Sequence, residues 1–179
     1  MNTKTDKGEA RRPANFDELF NNHQEKVLLA AYRVTGNLQD AEDVLQSVFL
    51  RLLKRQDQAL SADNTGAYLC KSAINASLDL LRSRRRNPTE SINEETLPSS
   101  HGAAEGDALQ SEQRRHLRLA LLALDQRAAE VFALRMFEDF SNIEIAALLD
   151  TSPNSVAVAF HKARAQLQHT LGELEGENR

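Results

Sequence analysis

The chain of 179 residues has no tryptophan and little of several other residue types: 5% aromatics, seven glycines, four prolines and one cysteine. β-sandwiches and β-barrels need aromatic strand residues and frequent turn formers, so this composition disfavours both. The single cysteine, Cys70, excludes an intramolecular disulfide and a cysteine-rich zinc site. No stretch approaches the run of about 18 apolar residues that a membrane helix needs. Residues 1–15 also lack the apolar core of a signal peptide.

The residues that are abundant, notably Leu, Ala, Glu, Arg and Gln, favour an all-α, cytoplasmic protein of two small domains. Residues 88–108 carry acidic side chains, Pro, Gly and Ser but no Lys or Arg, which is typical of a flexible linker. They separate a front domain, residues 15–87, from a back domain, residues 109–171. We expect residues 1–14 to be disordered and residues 172–179 to form a C-terminal tail.

Three helices are predicted in the front domain. The first, over residues 16–34, is capped by Asn15 and ends at Gly36. Asn37 caps the second helix, in which six apolar residues at alternating steps of three and one form a continuous stripe: Ala41, Val44, Leu45, Val48, Phe49 and Leu52. The polar side chains of this helix, Asp40 among them, are expected elsewhere on its surface. The third helix, over residues 66–84, ends in a run of arginines.

The back domain shows a helix-turn-helix pattern. Ser141 and Glu144 have the spacing of a capping box, which predicts a short helix ending near Leu149. Ser152 and Pro153 then begin a longer helix that reaches about Leu171. Two helices joined by so short a turn are typical of a DNA-binding motif, although a plain helical hairpin inside a bundle gives the same pattern.

Residue patterns of known catalytic sites are missing. The five histidines form no metal-binding pair, and no phosphate-binding loop, dinucleotide fingerprint or nucleophile elbow is present. The acids at positions 40, 42 and 43 suit the start of an exposed helix better than a metal site. We therefore expect no enzyme activity, no metal and no cofactor.

Three stretches in order resemble the extracytoplasmic-function (ECF) subfamily of bacterial sigma-70 factors. DAEDVLQSVFLRLLKR (residues 40–55) is similar to conserved region 2, and AYLCKSAINASLDLLRSRRR (residues 67–86) is similar to the promoter-melting helix that follows it. Residues 117–167 resemble region 4 with its helix-turn-helix. The resemblance implies a promoter-specificity subunit that binds the β′ clamp and β flap of core RNA polymerase, together with promoter DNA.

The resemblance also assigns residues to these roles. It implies that core polymerase is bound by Asp40, Glu42, Asp43, Gln46, Phe49 and Arg51. It implies that the −10 element is bound by Tyr68, Lys71, Asn75, Arg82, Arg84, Arg85 and Arg86, and that the loop over residues 56–65 holds an extruded base. It implies that the −35 element is bound by Asn154, Ser155, Val158, His161, Lys162 and Arg164.

Two alternatives compete with this interpretation. In the first, the protein is an autonomous helix-turn-helix regulator that uses residues 109–171 to bind an operator as a dimer, without polymerase. The chain could instead be a helical module that binds protein. We expect the two domains to be loosely tethered, with helices that expose apolar stripes between them. This arrangement suggests a further partner, an anti-sigma factor that clamps these helices.

The start of the recognition helix predicts an unusual −35 preference. Relatives carry basic residues where this chain has Ala157 and Ala159, and lysine or arginine is what reads guanine in the major groove. Alanine and valine contact thymine methyl groups instead. We expect a divergent or A/T-biased −35 element, to be measured by mapping transcription starts on promoter mutants. Strict dependence on a guanine-rich −35 element would contradict this prediction.

Overall fold

The computed structural model describes residues 16–55, 64–86 and 105–177, which form seven α-helices and no strand. The front domain contains α1 (Phe16–Thr35), α2 (Leu38–Arg55) and α3 (Thr65–Arg86). The back domain contains α4 (Glu105–Ala123), α5 (Gln126–Phe137), α6 (Asn142–Leu148) and α7 (Pro153–Glu177). The predicted all-α fold is confirmed for these residues. The Asn15 cap, most of the loop over 56–65 and residues 88–104 of the predicted linker lie outside the described residues.

In the front domain, α1, α2 and α3 pack against one another in pairs. Small side chains such as Ala30, Ala31 and Ala73 are fully buried where helices meet, which allows close approach of the backbones. The predicted stripe of α2 faces this core, with Ala41, Val44, Val48 and Phe49 buried. The ring of Phe49 lies 4.8 Å from that of Phe20 in an edge-to-face contact, between ring centroids.

Asp40 corrects one expectation from the sequence. We expected its side chain on the polar surface of α2, but Asp40 is only 5% exposed. Both of its carboxylate oxygens accept hydrogen bonds from the guanidinium of Arg84, each at 2.5 Å. This bidentate pair joins the start of α2 to the end of α3 and compensates for the burial of the carboxylate. Asn37 caps α2 as predicted, because its side-chain oxygen accepts from the backbone N–H of Asp40 at 3.1 Å.

The back domain confirms the predicted helix-turn-helix. Ser141 and Glu144 form the capping box at the start of α6, and Ser152 accepts from the backbone N–H of Ser155 at the start of α7. Asp150, between α6 and α7, has a φ of 49°, the left-handed conformation that ends helices. Helix α7 packs across α4, α5 and α6 and buries its side chains at Val156, Ala163 and Leu167.

Two helix boundaries differ from those expected. Helix α4 begins at Glu105, inside the range predicted as linker, and α7 continues to Glu177 through the range predicted as a tail. Gly172 and Gly176 lie within α7 with no atom near the position of an added Cβ. A glycine in a helix interior costs only about 1 kcal/mol, which continued backbone hydrogen bonding can offset.

The two domains pack against each other, which corrects the expectation of loosely tethered units. Helix α3 contacts α4, α5 and α6, and α1 contacts α5. Gly36 follows α1 with a φ of 67°. The guanidinium of Arg118 on α4 packs so closely against it that no Cβ would fit there. The ammonium of Lys26 on α1 lies 5.4 Å from the centre of the Phe140 ring in the back domain.

The capping box of α6 predicts a stability effect. Replacing Ser141 by alanine removes the acceptor for the backbone N–H of Glu144, and such N-cap losses cost about 1 kcal/mol. We expect Ser141→Ala to lower the free energy of unfolding by that amount in urea titrations. Ser111→Ala, on the exposed surface of α4, is the matched control and should be neutral. Equal midpoints for the two variants would contradict the prediction.

The capping box also predicts a dependence on pH. Hydrogen bonds from Ser141 hold the pKa of Glu144 below its ordinary value of 4.5. A lowered carboxyl pKa gives stability that is present above the ordinary pKa and is lost as pH falls through the lowered one. The difference in unfolding free energy between parent and Glu144→Gln should therefore shrink in acid.

Candidate polymerase and nucleic-acid interfaces

The exposed face of α2 combines acidic, amide and apolar side chains. Glu42, Asp43 and Gln46 are exposed, and Leu38 and Leu50 are 56% and 53% exposed. Residues four apart lie on the same face of a helix, so Glu42, Gln46 and Leu50 form one row. Leu38 and Leu50 were missed by the sequence analysis. Their signal was present, because both leucines fall outside the buried stripe.

Three other residues that the resemblance assigned to polymerase lie elsewhere. Asp40 is paired with Arg84, and Phe49 is 3% exposed in the aromatic cluster with Phe16 and Phe20. Arg51 is exposed but lines a cavity on the α3 side of α2. The α2 face is therefore formed by Glu42, Asp43, Gln46, Leu38 and Leu50.

A cavity of about 260 Å³ lies between α2 and α3. It brings together three of the residues predicted to bind the −10 element: Tyr68, Lys71 and Asn75. Arg51 and Ser72 add a charge and a hydroxyl, while Val48, Leu52 and Leu69 supply an apolar wall. An aromatic ring beside cationic and amide groups is a suitable environment for an unstacked base.

The arginines at the end of α3 divide into two groups. Arg85 and Arg86 are exposed, whereas Arg82 and Arg84 are half-buried. Arg84 holds Asp40, and Arg82 donates a hydrogen bond to the backbone carbonyl of Leu124 at 3.1 Å. Of these four arginines, only Arg85 and Arg86 are exposed.

The residues predicted to bind the −35 element lie on the exposed part of α7. Every one of them is exposed: Asn154, Ser155, Val158, His161, Lys162 and Arg164. Val156 and Ala163 are buried against the back domain and fix the orientation of the helix. Ala157 and Ala159 are half-buried.

Three back-domain helices end against the front domain. Lys71 donates a hydrogen bond to the carbonyl of Leu148, the last residue of α6, at 2.9 Å. Arg33 donates to the carbonyl of Phe137, the last residue of α5, and Arg82 reaches the carbonyl of Leu124, just after α4. These positions carry the negative end of the helix dipole, so a cation there is favourable.

Two carboxylates complete this contact. Glu130 on α5 accepts a hydrogen bond from the side-chain amide of Asn75 at 2.7 Å. Glu138 pairs with Arg33 at 2.9 Å. Neither glutamate was singled out in the sequence, because nothing local in a helix reveals a partner on another domain. Lys71, Asn75 and Arg82, all predicted to bind DNA, are thus bonded to the back domain.

Cys70 lies in the same contact and is fully buried. Burial, and after it the nearby carboxylate of Glu138, raise the pKa of its thiol from 9.0 to about 11. The thiol is therefore a poor nucleophile at neutral pH.

Within the described part of the chain, no group of three or more His, Cys, Asp or Glu side chains could hold a metal ion. No helix among these residues is both long enough and apolar enough to cross a membrane.

Comparison with known proteins identifies the family. Residues 19–87 match the model of sigma-70 region 2, and residues 114–167 match that of sigma-70 region 4. RNA polymerase sigma factor CarQ of Myxococcus xanthus is 32% identical over 90% of this chain and 92% of its own. The chain belongs to the ECF sigma factors of the sigma-70 family. Such a sigma factor binds core RNA polymerase and directs initiation at promoters through the −10 and −35 elements.

A second relative agrees with this membership, and two solved structures share the fold. ECF sigma factor SigE of Mycolicibacterium smegmatis is 29% identical over 95% of this chain and 66% of its own. Among solved structures, CnrH in complex with the cytosolic domain of CnrY has a TM-score of 0.58 at 23% identity, covering 88% of both chains. RpoE in complex with the anti-sigma factor NepR, from Bartonella quintana, has a TM-score of 0.55 at 21% identity, covering 89% of this chain and 98% of its own. The family matches both domains, so the operator-binding alternative, which uses only the back domain, is not favoured.

The raised pKa of Cys70 predicts slow alkylation. The thiolate is the reactive species, and a pKa about two units higher leaves about 100-fold less of it at mildly alkaline pH. We expect N-ethylmaleimide to react at least that much more slowly with the native protein than with the urea-unfolded protein. Comparable rates in the two states would contradict this prediction.

Proposed function

We propose that this sigma factor uses the α2 face for core polymerase and the cavity between α2 and α3 for the −10 strand. The observation that supports this division is the position of the two surfaces. The α2 face carries Glu42, Gln46 and Leu50, while Arg51, one residue further along, already lines the cavity. One helix therefore presents polymerase contacts and −10 contacts on adjoining sides.

The proposed −10 site works by stacking and charge. Opening a duplex and extruding a base costs a few kcal/mol, which a protein must recover through the pocket that receives the base. Tyr68 offers a ring face, Asn75 an amide for base edges, and Lys71 and Arg51 charge for the backbone. Arg85 and Arg86 extend the positive surface beyond the cavity. The chain's own net charge of −4 does not oppose this, because the charges are unevenly distributed.

The proposed −35 site is the exposed face of α7. In helix-turn-helix proteins the N-terminal residues of the second helix reach base edges in the major groove. Asn154, Ser155 and Val158 occupy that position here, and Lys162 and Arg164 follow one to two turns later, at the level expected for phosphates.

Three broader proposals follow from the family. The protein itself catalyses no bond chemistry, since a sigma factor acts by positioning polymerase on DNA. It works in the cytoplasm, where bacterial polymerase and promoters are found. An anti-sigma factor is a further proposed partner, supported by the structural similarity to RpoE, which was solved with the anti-sigma factor NepR.

Run-off transcription distinguishes the proposed roles of the α2 face and the −10 site. Core polymerase, the protein and a genomic fragment library would be mixed and the RNA 5′ ends mapped. Leu50→Asp should abolish both co-migration with core polymerase and protein-dependent starts, because it places a charge at the centre of the α2 face. The double variant Arg85→Ala/Arg86→Ala should keep co-migration and lose about tenfold in starts, because it removes only phosphate contacts.

Matched controls keep these outcomes specific. Leu29→Asp introduces the same charge at an exposed leucine of α1, and Arg115→Ala removes an exposed arginine from α4. Both controls should behave as the parent protein. Full activity of Leu50→Asp, or no protein-dependent starts with the parent, would contradict the proposed function.

A further inference from the structure

A second cavity, of about 430 Å³, lies where the end of α1 meets α4 and the end of α5. Its volume is in the range of small-molecule sites. It shares no residue with the cavity between α2 and α3, and none of its lining residues is among those assigned to polymerase or DNA. Its chemistry is therefore unexplained by the functions considered so far.

Helix α4 supplies one wall of this cavity, in which cations alternate with leucines. Four residues fall on one helical face, at steps of three, one and three: Arg114, Leu117, Arg118 and Leu121. Leu121 is only 1% exposed, and Leu117 packs against the core. The wall therefore offers an apolar surface and two guanidinium groups side by side.

Gly36 keeps one of these guanidinium groups in place. A Cβ at this position would clash with the side chain of Arg118, so any other residue would push the arginine away. The φ of 67° at Gly36 is also one that glycine adopts at no steric cost. The glycine thus allows Arg118 to lie against the end of α1, at the edge of the cavity.

Positive charge predominates in the lining. Helix α1 adds Arg33, so three arginines and a single carboxylate, that of Asp139, line the cavity. Arg33 also pairs with Glu138 at 2.9 Å. A guanidinium carries several N–H donors, so it can keep a contact within the protein and still bind a ligand. Although the chain has a net charge of −4, this cluster favours an anion locally.

The lining also includes exposed side chains that suit a flat apolar group. Tyr32 is 38% exposed and Met136 is 53% exposed, and the half-buried ring of Phe137 lies in the same lining. Large apolar side chains gathered at one opening are typical of binding sites. Aromatic rings stack on tyrosine, and the methionine thioether packs favourably against them.

We propose that this cavity binds a small aromatic anion, whose ring packs on Tyr32 and Met136 and whose carboxylate or phosphate is bound by Arg114 and Arg118. Arginine suits both anionic groups, because its planar donors match their paired oxygens. Nucleotides and aryl carboxylates share this chemistry. The site takes residues from both domains, and it does not depend on the proposed roles of the α2 face or the −10 cavity.

Calorimetric titration with matched probes tests the chemistry of the ligand. Naphthoate has a ring and a carboxylate, naphthylmethanol has the ring alone, and inorganic phosphate has the charge alone. We expect naphthoate to bind about tenfold more tightly than either, the scale of one hydrogen bond to a charged group. Equal affinity for naphthoate and naphthylmethanol, or no binding of naphthoate, would overturn the proposal.

Guanosine monophosphate distinguishes the two sources of such an anion. Tighter binding than that of naphthoate assigns the site to nucleotides, and weaker binding assigns it to aryl carboxylates. Both results support an aromatic anion as the ligand class.

Two pairs of variants test the assigned contacts. Arg114→Gln should weaken naphthoate binding about tenfold, whereas Arg115→Gln, at the neighbouring exposed arginine outside the lining, should bind as the parent does. Tyr32→Ser should weaken binding, and Tyr32→Phe, which retains the ring, should not. Equal losses in Arg114→Gln and Arg115→Gln would indicate a general effect of charge and would refute the site.

Methyl NMR locates the bound probe. The chain has two methionines, Met1 and Met136, so isotope labelling of the methionine methyl groups gives two signals, which Met136→Leu assigns. We expect naphthoate to shift the Met136 signal through the ring current of the bound naphthalene, with the same affinity as in calorimetry. Saturable binding that leaves the Met136 signal unmoved would place the probe elsewhere and overturn the proposal.

Discussion

The carbonyl oxygens at the C-terminal ends of α4, α5 and α6 are the constraint on which the domain arrangement depends. Every helix leaves its last carbonyls without partners inside the helix. The compact helix-turn-helix fold turns three such ends toward the front domain. Within the back domain, Arg127 donates to the carbonyl of Leu149 and Gln166 to that of Ala123. Backbone N–H groups of the following turns satisfy others, such as the carbonyls of Leu134 and Ala146. The carbonyls of Phe137, Leu148 and Leu124 accept from cations of the front domain, and these bonds join the two domains.

The same requirement links structure to function. A cation that suits a helix end also suits a phosphate, because both present oxygen acceptors with negative charge. The resemblance assigns Lys71 and Arg82 to DNA, and in the structure the same two cations donate to carbonyls of the back domain. The α2 face, which we propose binds polymerase, carries exposed acidic and apolar side chains instead.

The predictions that succeeded rest on short-range interactions. The capping box at Ser141 and the stripe of α2 follow from spacings of three and four residues, which the backbone geometry imposes wherever the helix lies. The two domains followed from the acidic segment between them. The prediction that Asp40 is exposed failed because its partner, Arg84, is 44 residues away in sequence. No local pattern distinguishes an acid that caps an exposed helix from one that will meet an arginine on another.

The sequence by itself determined which helices form and which faces they bury. Those properties depend on hydrophobic periodicity, capping and residue type, all of which are written along the chain. Only the tertiary structure decided that Asp40 pairs with Arg84, that Arg51 lines the cavity, and that Glu130 bonds to Asn75. These outcomes depend on how helices cross and how domains dock, and a side chain's partner across such a contact is set by geometry in space rather than by spacing in sequence.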